Sequence, residues 1–563
     1  MTLSPGFARF LVWLGALLVA GAWLQPNHYF PWPSFHTDAW MAMALLLLSG
    51  VVLARAGAAP LSLPWIAAVA VGAAVVPLAQ HAVGLVPQLG KAMLASAYLL
   101  GLAVAITLGA LAERKWPERL MDFLMLAIAI AAVLSVGIQL NQWLELDRIA
   151  VWSMGGVGNR PFANLGQPNL LGTFLLWSVL AGAWGVVRGV ISARVFIALA
   201  LYLLFGAALT ESRTAMLNIV LLTAGIVWWR RLWSPRAVTL TALLAIAFFV
   251  FLSLFPLIHG ALFGGTGEIG IRRMATDTSS GLRLEIYRQS VMAILAQPWT
   301  GYGWDQGAAA QFAMAGQARA VGSVFSYAHN LFLDLLLWSG VLVGGLLSTA
   351  LIGWLGVSAC RIRDARDAVL WLLLGVVFVH AMLELPLYYG YLLWPVGLMI
   401  GTLNERLGMA SLRLGATHWL WMPVAGLLAL TLIVADDYLK AEHNYRVMRY
   451  ESLGMARQVT PLPPMRVLDH MDDVMWMGRY EPRSGMSPAD LERMRNTVVM
   501  FPSLGNMYRL SKSLALNGRP DEAGTWLLRM TKVLSRENVE LARHDWIGQG
   551  QSIPAMAAVP WPE

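Results

Sequence analysis

Cysteine is all but missing from this 563-residue chain. Cys360 stands alone, which excludes an internal disulfide framework and any cysteine-rich metal site. Charge is scarce as well. Asp, Glu, Lys and Arg make up 13% of the residues, 58% are hydrophobic, and mean hydropathy is +0.61. Soluble domains carry roughly 25% charged residues, so the chain reads as an integral membrane protein. Common catalytic signatures are lacking too. There is no G-x-S-x-G elbow, no H-E-x-x-H helix, no phosphate-binding P-loop, and no D-x-D pair of the kind many sugar transferases use to hold a metal with a nucleotide-sugar. No metal or cofactor is expected.

What charge there is has a pattern. Lys and Arg total 40 against 32 Asp and Glu, a formal charge of +8 that points to cytoplasmic loops and an anionic partner, not to nucleic acid. A span needs about 20 mostly apolar residues. Thirteen stretches qualify, near 8–24, 39–57, 62–81, 92–112, 119–140, 169–187, 193–209, 213–229, 237–258, 329–355, 368–386, 388–404 and 418–435. The first reads as a retained anchor, not a cleaved signal, because its apolar run continues through Trp23 and Leu24.

Alternate connections are rich in arginine: Arg55, Arg114 with Lys115 and Arg119, Arg188 with Arg194, Arg230 with Arg231 and Arg236, Arg361 to Arg366, and Arg406 with Arg413. By the positive-inside rule these are cytoplasmic. The expected fold is therefore an all-α polytopic membrane protein of about 13 transmembrane helices, with its N-terminus inside. Residues 1–258 would hold about nine spans, 259–328 a large outer loop, 329–435 about four more spans, and 436–563 a small outer helical domain.

That last segment has the composition of a soluble helical domain. Ser487, Pro488 and Asp490 supply an N-cap, a first-turn proline and a capping acid. Residues 504–534 read as a helical hairpin around Asn517-Gly518-Arg519-Pro520, with Ala523, Trp526, Leu527, Met530 and Leu534 on one face. A single hairpin of this kind resembles one tetratricopeptide unit, and no second copy repeats it.

Chemistry should concentrate at the outer face, where polar groups are few. Arg213, in Thr210-Glu211-Ser212-Arg213-Thr214, follows a residue able to cap the next helix. It would lie beside free N–H groups at a positive helix end, a good phosphate site. An arginine snorkelling to the interface is the alternative. The 259–328 loop carries Arg272, Arg273, Arg283, Arg288 and Arg319. A helix should start at Ser279-Ser280 and end before Pro298, with Leu284, Tyr287, Val291 and Ile294 as its apolar stripe. Arg283 and Tyr287 share a flank of it. Arg283 at that helix start is the functional candidate, while Arg272, Arg273 and Arg319 read as solvated.

His329 and Asn330 open the next span, with Asp334 one turn on. A histidine there can exchange a proton near neutral pH, or be an ordinary interface residue. His380 and Glu384 sit four apart near another span end, where a mutually satisfied pair is the plainer reading of the histidine. The loop GNRPFANLGQPN, residues 158–169, demands tight turns and offers the Gln167 and Asn169 amides, which suit sugar hydroxyls. Turn-forming filler is the alternative. With no metal-diphosphate motif in the chain, permanently charged guanidinium forks are the expected diphosphate ligands.

Taken in order, S-R-T at a short outer turn, G-x-R-x-x-x-aromatic leading to P-x-x-G-x-G, and A-H-N at a span resemble the O-antigen ligase superfamily. The stretches RPFANLGQPN and LELPLYYGYLLWP, with a helical tail, are similar to its bacterial protein O-oligosaccharyltransferase branch. The resemblance covers residues 150–400 well and the tail loosely. It implies that Arg213 and Arg283 bind the carrier diphosphate, that His329 is catalytic, and that Gln167 and Tyr389 (or its neighbour Tyr388) matter for protein glycosylation. Asn169, Glu384, Arg288 and Asn330 are further candidates for positioning glycan or acceptor. Tyr287 stands where relatives often carry tryptophan.

The function implied is metal-independent, inverting transfer of an oligosaccharide from an undecaprenyl-diphosphate carrier to Ser or Thr of an exported protein such as pilin. The setting implied is the periplasmic face of a bacterial inner membrane. Ligation onto lipid A core, glycan polymerisation, or transport of the lipid-linked glycan are the competing readings.

Overall fold

In lipid an apolar run of this length has to satisfy every backbone polar group within itself, and the helix does so. The computed structural model describes residues 5–57, 60–146, 149–155, 160–264, 279–455 and 460–562. A helix covers each apolar stretch: α1 (Pro5–Leu24), α2 (Phe35–Ala56), α3 (Trp65–Ala82), α4 (Leu89–Lys115), α5 (Arg119–Trp143), α6 (Pro168–Val187), α7 (Ala193–Leu209), α8 (Arg213–Trp228) and α9 (Pro235–Phe263). After α10 (Ser279–Ala296) and α11 (Gly307–Met314) come α12 (Leu331–Arg361), α13 (Ala365–Ala381), α14 (Gly390–Arg406) and α15 (Trp421–Ser452). The tail adds α16 (Asp469–Arg479), α17 (Pro488–Met500), α18 (Leu504–Leu516), α19 (Pro520–Val533), α20 (Arg536–Gly550) and α21 (Pro554–Ala557). Among the described residues, eight helices are long and apolar enough to cross a membrane. The protein is a helical, multi-pass membrane protein.

One correction concerns strands. β1 (Pro60–Pro64) pairs antiparallel with β2 (Ser411–Ala416), a two-stranded ribbon in an otherwise helical chain. Its first strand reads PLSLP, and proline, which cannot donate to a ladder, is tolerated there because a two-stranded ribbon is all edge.

Two compact units divide the chain, and neither is one continuous segment. The first comprises residues 1–71, 99–277 and 350–431; the second comprises 72–98, 278–349 and 432–563.

In the first unit α6 is deeply enclosed, with Leu171, Phe174, Leu175, Leu176 and Trp177 fully buried. The Trp177 indole donates to the Leu373 carbonyl at 2.8 Å, tying α6 to α13. α4 and α14 meet backbone to backbone: a Cβ on Gly109 would lie 2.2 Å from the Leu398 oxygen, and one on Gly401 1.8 Å from that of Ile106. Small residues allow this approach, which replaces the hydrophobic drive missing inside a bilayer.

At one end of these helices the charged residues collect. Arg188 pairs with Glu118 and with Asp122 at 3.0 Å, Arg366 with Glu118 and Asp364, and Arg406 with Asp367 and with Glu113 at 3.1 Å. Arg114 grips Glu405 through two hydrogen bonds of 2.8 and 2.6 Å. All four arginines come from connections that the charge pattern assigns to one side. The opposite end of α6, 20 residues long and so roughly 30 Å away, carries the loop 160–169, whose one charged residue is Arg160.

The second unit contains the tail, and α15 runs into it unbroken past the change of composition near Ala435. Ser487 caps α17, accepting from Asp490 N–H at 3.0 Å. Ala523, Trp526, Leu527 and Met530 of α19 enter one core with Met507, Leu510 and Leu514 of α18. α11 joins that core through Ala308 and Phe312, the latter edge-on to Trp526 at 5.3 Å. The Lys532 carbonyl also accepts the Val321 N–H at 3.0 Å. The tail therefore braces the segment that leads from α11 to His329.

The stripe expected on α10 divides between two environments. Leu284 and Val291 are exposed, whereas Ile286, Gln289, Ser290, Ala293 and Ile294 are buried. The helix's two buried polar groups are satisfied: Gln289 donates to the Arg319 carbonyl at 2.9 Å and Ser290 to that of Ile286 at 2.8 Å.

Candidate functional site

The candidate residues fall into two groups, one in each unit. Gln167, Asn169, Arg213, Glu384 and Tyr389 belong to the first; Arg283, Arg288, His329 and Asn330 belong to the second. Arg272, Arg273, Gly158 and Asn159 lie outside the described residues.

The first group is built on the loop 160–169. Two glutamines of α5 hold it in place. Gln142 accepts from Phe162 and Ala163 N–H at 3.1 and 2.8 Å and donates back to the Ala163 carbonyl at 2.8 Å. Gln139, fully buried, donates to the Pro161 carbonyl at 3.4 Å and to the Gly206 carbonyl of α7 at 2.9 Å. Asn164 is fully buried, with its amide donating to the Leu24 and Trp152 carbonyls, each at 2.8 Å, and accepting from Met154 N–H. His28 donates to the Asn164 carbonyl at 3.0 Å, and burial pushes its pKa below the ordinary histidine value. The loop is thus fixed from three sides by side chains, not by a ladder of its own.

Above this base the polar residues meet. Glu384, 7% exposed, accepts from the Asn169 amide at 2.6 Å and the Gln167 amide at 3.0 Å. Asn169 in turn accepts the Ser212 hydroxyl at 2.7 Å. Ser212 caps α8 by accepting Ala215 N–H at 3.1 Å, so Arg213 is the first residue of that helix, at its positive end. Arg160 donates to the Thr210 carbonyl at 2.8 Å and the Glu211 carbonyl at 3.3 Å, closing the same turn. His380 lies beneath, with Nε2 3.5 Å from Glu384 and Nδ1 2.8 Å from the Thr173 hydroxyl. Tyr389 occupies the position before α14 and stacks on Tyr391 at 5.3 Å, while Tyr388 is 43% exposed.

The second group surrounds the start of α12. Asn330 caps it, accepting from Phe332 and Leu333 N–H at 3.1 and 3.2 Å. His329 immediately before has φ +56°, a left-handed conformation that is costly for a residue with a Cβ. Two contacts hold it there. The Tyr287 hydroxyl donates to the His329 carbonyl at 3.4 Å, and the Tyr327 ring stands edge-on to the imidazole at 5.1 Å. Burial pushes the Tyr287 pKa up, with the nearby Arg283 charge opposing, so the phenol keeps its proton. Arg283 and Tyr287 share a flank of α10, and Arg288 points away, 69% exposed and 3.8 Å from Glu285.

The P-x-x-G-x-G stretch has a mechanical explanation. α12 breaks at Gly340 (φ +74°, ψ 173°), which orphans backbone groups on both sides. Residues 298–303 satisfy them. Tyr302 N–H donates to the Leu337 carbonyl at 2.9 Å, Gly303 N–H to that of Trp338 at 3.1 Å, and Val341 N–H to that of Pro298 at 2.7 Å. Gln80 of α3 adds a donor to the Trp338 carbonyl at 2.8 Å and accepts Trp304 N–H. The turn thus splints a bent helix whose first residues follow His329.

Sequence reasoning did not single out Arg160, Gln139, Gln142, Asn164 or Gln80. Its usable signal was present: Gln139 and Gln142 are amides three apart in an otherwise apolar run, and polar side chains in a span flag a role.

Three family models match the chain. The O-antigen ligase model covers residues 198–348, the C-terminal model of virulence factor membrane-bound polymerases covers 368–544, and the protein glycosylation ligase model covers 161–184. Among curated proteins, the general O-oligosaccharyltransferase of Acinetobacter baylyi is 28% identical over 537 residues, 92% of each chain. The ComP-specific O-oligosaccharyltransferase of the same organism is 27% identical over 348 residues, 59% of this chain and 63% of that one. The chain is similar to the O-antigen ligase family and to protein-glycosylating O-oligosaccharyltransferases.

Proposed function

We propose that this protein is an O-oligosaccharyltransferase of the bacterial inner membrane. It moves a glycan en bloc from undecaprenyl diphosphate to Ser or Thr hydroxyls of an exported, pilin-like protein at the periplasmic face. In this reading the chain crosses the bilayer thirteen times, with residues 259–328 and the domain from 436 outside. The gathering of Arg114, Arg188, Arg366 and Arg406 roughly a span's length from the loop 160–169 supports that sidedness.

Arg213 and Arg283 are the carrier-diphosphate ligands, stabilising the charge that develops on the leaving group. His329 accepts the acceptor's hydroxyl proton as general base. The oxygen of that hydroxyl bonds to the anomeric carbon as its bond to the diphosphate breaks, with inversion. The diphosphate is a weak base, so no general acid is required. Gln167, Asn169, Glu384 and Tyr389, with Asn330 and Arg288, position glycan or acceptor.

The observation that carries this reading is the amide and carboxylate cluster joined through Ser212 to Arg213 at a helix N-terminus. In this reading the cluster supplies sugar-binding chemistry beside a phosphate-binding position. The match of residues 368–544 to membrane-bound polymerases favours glycan polymerisation as the second reading. One experiment separates them. Purified protein is incubated with lipid-linked oligosaccharide and either a pilin-type protein, core lipid or no acceptor, and product masses are read. Glycosylated protein is expected. Elongated lipid-linked glycan without an acceptor would favour polymerisation, and core-lipid product the ligase reading. No product with any acceptor would favour transport. His329→Ala should abolish transfer, and Arg283→Lys should weaken donor binding, because a point charge does not replace the fork.

A further inference from the structure

His380 enters none of the chemistry above, yet it is fully buried and touches the carboxylate that orders the amide cluster. A buried carboxylate is costly unless its oxygens are met by donors. Glu384 Oε1 takes Asn169, and Oε2 takes Gln167 and faces His380 Nε2. A proton must sit on Nε2 for that approach to be favourable. In neutral imidazole Nδ1 is then an acceptor, and the Thr173 hydroxyl at 2.8 Å is placed to donate to it. Thr173 and His380 are thus hydrogen-bonded, and His380 faces Glu384 across a 3.5 Å ionic contact that makes no hydrogen bond, a row whose polarity runs one way.

The polarity propagates to the amides. Asn169 is fixed at both ends, its oxygen on the Ser212 hydroxyl and its nitrogen on Glu384. Gln167 commits its nitrogen to Glu384, which leaves its carbonyl oxygen as the pole turned away from the carboxylate. Such a pole accepts hydrogen bonds and rejects acceptors. Ser212 links this cluster to Arg213. On the reading of Arg213 as a diphosphate ligand, the group next to Gln167 is the sugar bonded directly to the diphosphate.

We propose that His380 is a positioning residue that, through Glu384, sets the Gln167 amide to accept a hydrogen bond from a hydroxyl or acetamido N–H of the donor's first sugar. This inference rests on the transferase reading for its ligand but not for its test, which measures binding.

Full-length wild type, His380→Phe and His380→Gln are placed in lipid nanodiscs. The affinities of undecaprenyl diphosphate and of undecaprenyl-diphosphate-linked disaccharide with N-acetylglucosamine at the reducing end are compared. The ratio of the two is the glycan increment. Phe fills the volume but offers no N–H, so the increment should fall roughly tenfold, the size of one lost hydrogen bond, with the bare carrier unaffected. Gln can place an N–H where Nε2 was, so the increment should return to within about threefold of wild type. Thr173→Val, which keeps its shape, should lower the increment in the same direction should the phenylalanine variant not fold.

The proposal is overturned if wild type shows no glycan increment, if His380→Phe or a folded Thr173→Val keeps it, or if carrier affinity falls equally. It is also overturned if glutamine fails to restore it. Transfer to a pilin-type protein is measured in the same discs. An intact pattern of increments without transfer would refute the transferase reading and leave this one standing.

Discussion

Asp334 accepts the backbone N–H of Ala328 at 2.6 Å. A residue one turn inside α12 therefore holds the peptide that precedes His329, where the chain adopts its left-handed conformation. Ala163 (φ +53°) and Glu211 (φ +46°), in the loop 160–169 and the turn before Arg213, share that conformation, as do Glu118, Glu145 and Asp305 elsewhere. Strained backbone at His329, Ala163 and Glu211 is maintained by side chains from neighbouring elements, the usual condition for keeping it.

Asp334→Ala should lower the transfer rate about ten- to a hundredfold with donor affinity unchanged. A hydrogen bond to a charged group is worth ~1.5–3 kcal/mol, and 1.4 kcal/mol is a factor of ten. Rates and donor affinity measured side by side check this. A loss of affinity equal to the loss of rate would place Asp334 in binding.

Gly301→Ala and Gly340→Ala should each cost several kcal/mol. Gly301 has φ +63°, and its Cβ would lie 2.7 Å from Gly340 N and from the Leu337 oxygen; a Cβ on Gly340 would lie 2.3 Å from the Trp299 oxygen. Gly353→Ala is the control, since nothing lies within 4 Å of a Cβ there. In a helix it should be neutral or stabilising by up to ~1 kcal/mol. Thermal unfolding in detergent distinguishes the three.

Trp526→Ala should cost ~3–5 kcal/mol of local stability and act at a distance along the chain. Trp526 supports Phe312, and Lys532 on the same helix anchors Val321. Amide hydrogen exchange should rise across residues 319–329 as well as within α18 and α19. Exchange confined to the tail helices would remove the bracing role.

The tail should also show a defined acid sensitivity. The hydrogen bond from Arg495, 2.9 Å to Oε2, holds the Glu522 carboxyl below its ordinary value, with burial opposing and Arg519 assisting. A lowered folded pKa stabilises above the unfolded pKa, and that contribution is lost as pH falls through the folded value. Solvent screening keeps it to about 1 kcal/mol or less. Glu522→Gln should therefore lower the unfolding temperature at pH 7 and make no difference once the wild-type carboxyl is protonated.

The helices and their caps were readable because their causes are local. Apolar runs dictate spans, and Ser212 and Ser487 announce helix starts by residue type and spacing. The burial of Gln289 on α10 was hidden because its partner, the Arg319 carbonyl, comes from another part of the chain. The break at Gly340 was hidden for the same reason: residues 329–355 look like one run, and the donors that make a bend affordable come from residues 298–303 and from Gln80. Arg160, Gln142 and Asn164 reach partners set by tertiary placement, so a loop that reads as turn-forming filler is held in one shape.

The ribbon of Pro60–Pro64 with Ser411–Ala416 has a bearing on how the molecule is made. Its two halves are separated by about 350 residues, so a ribosome adding ~5–20 residues per second leaves the first strand unmatched for roughly 20–70 s. Through that interval α1 and α2 sit in the bilayer without their latch. The early hairpin can settle only when the far end of the protein emerges on the same side, which makes correct insertion of everything between a precondition for closing it.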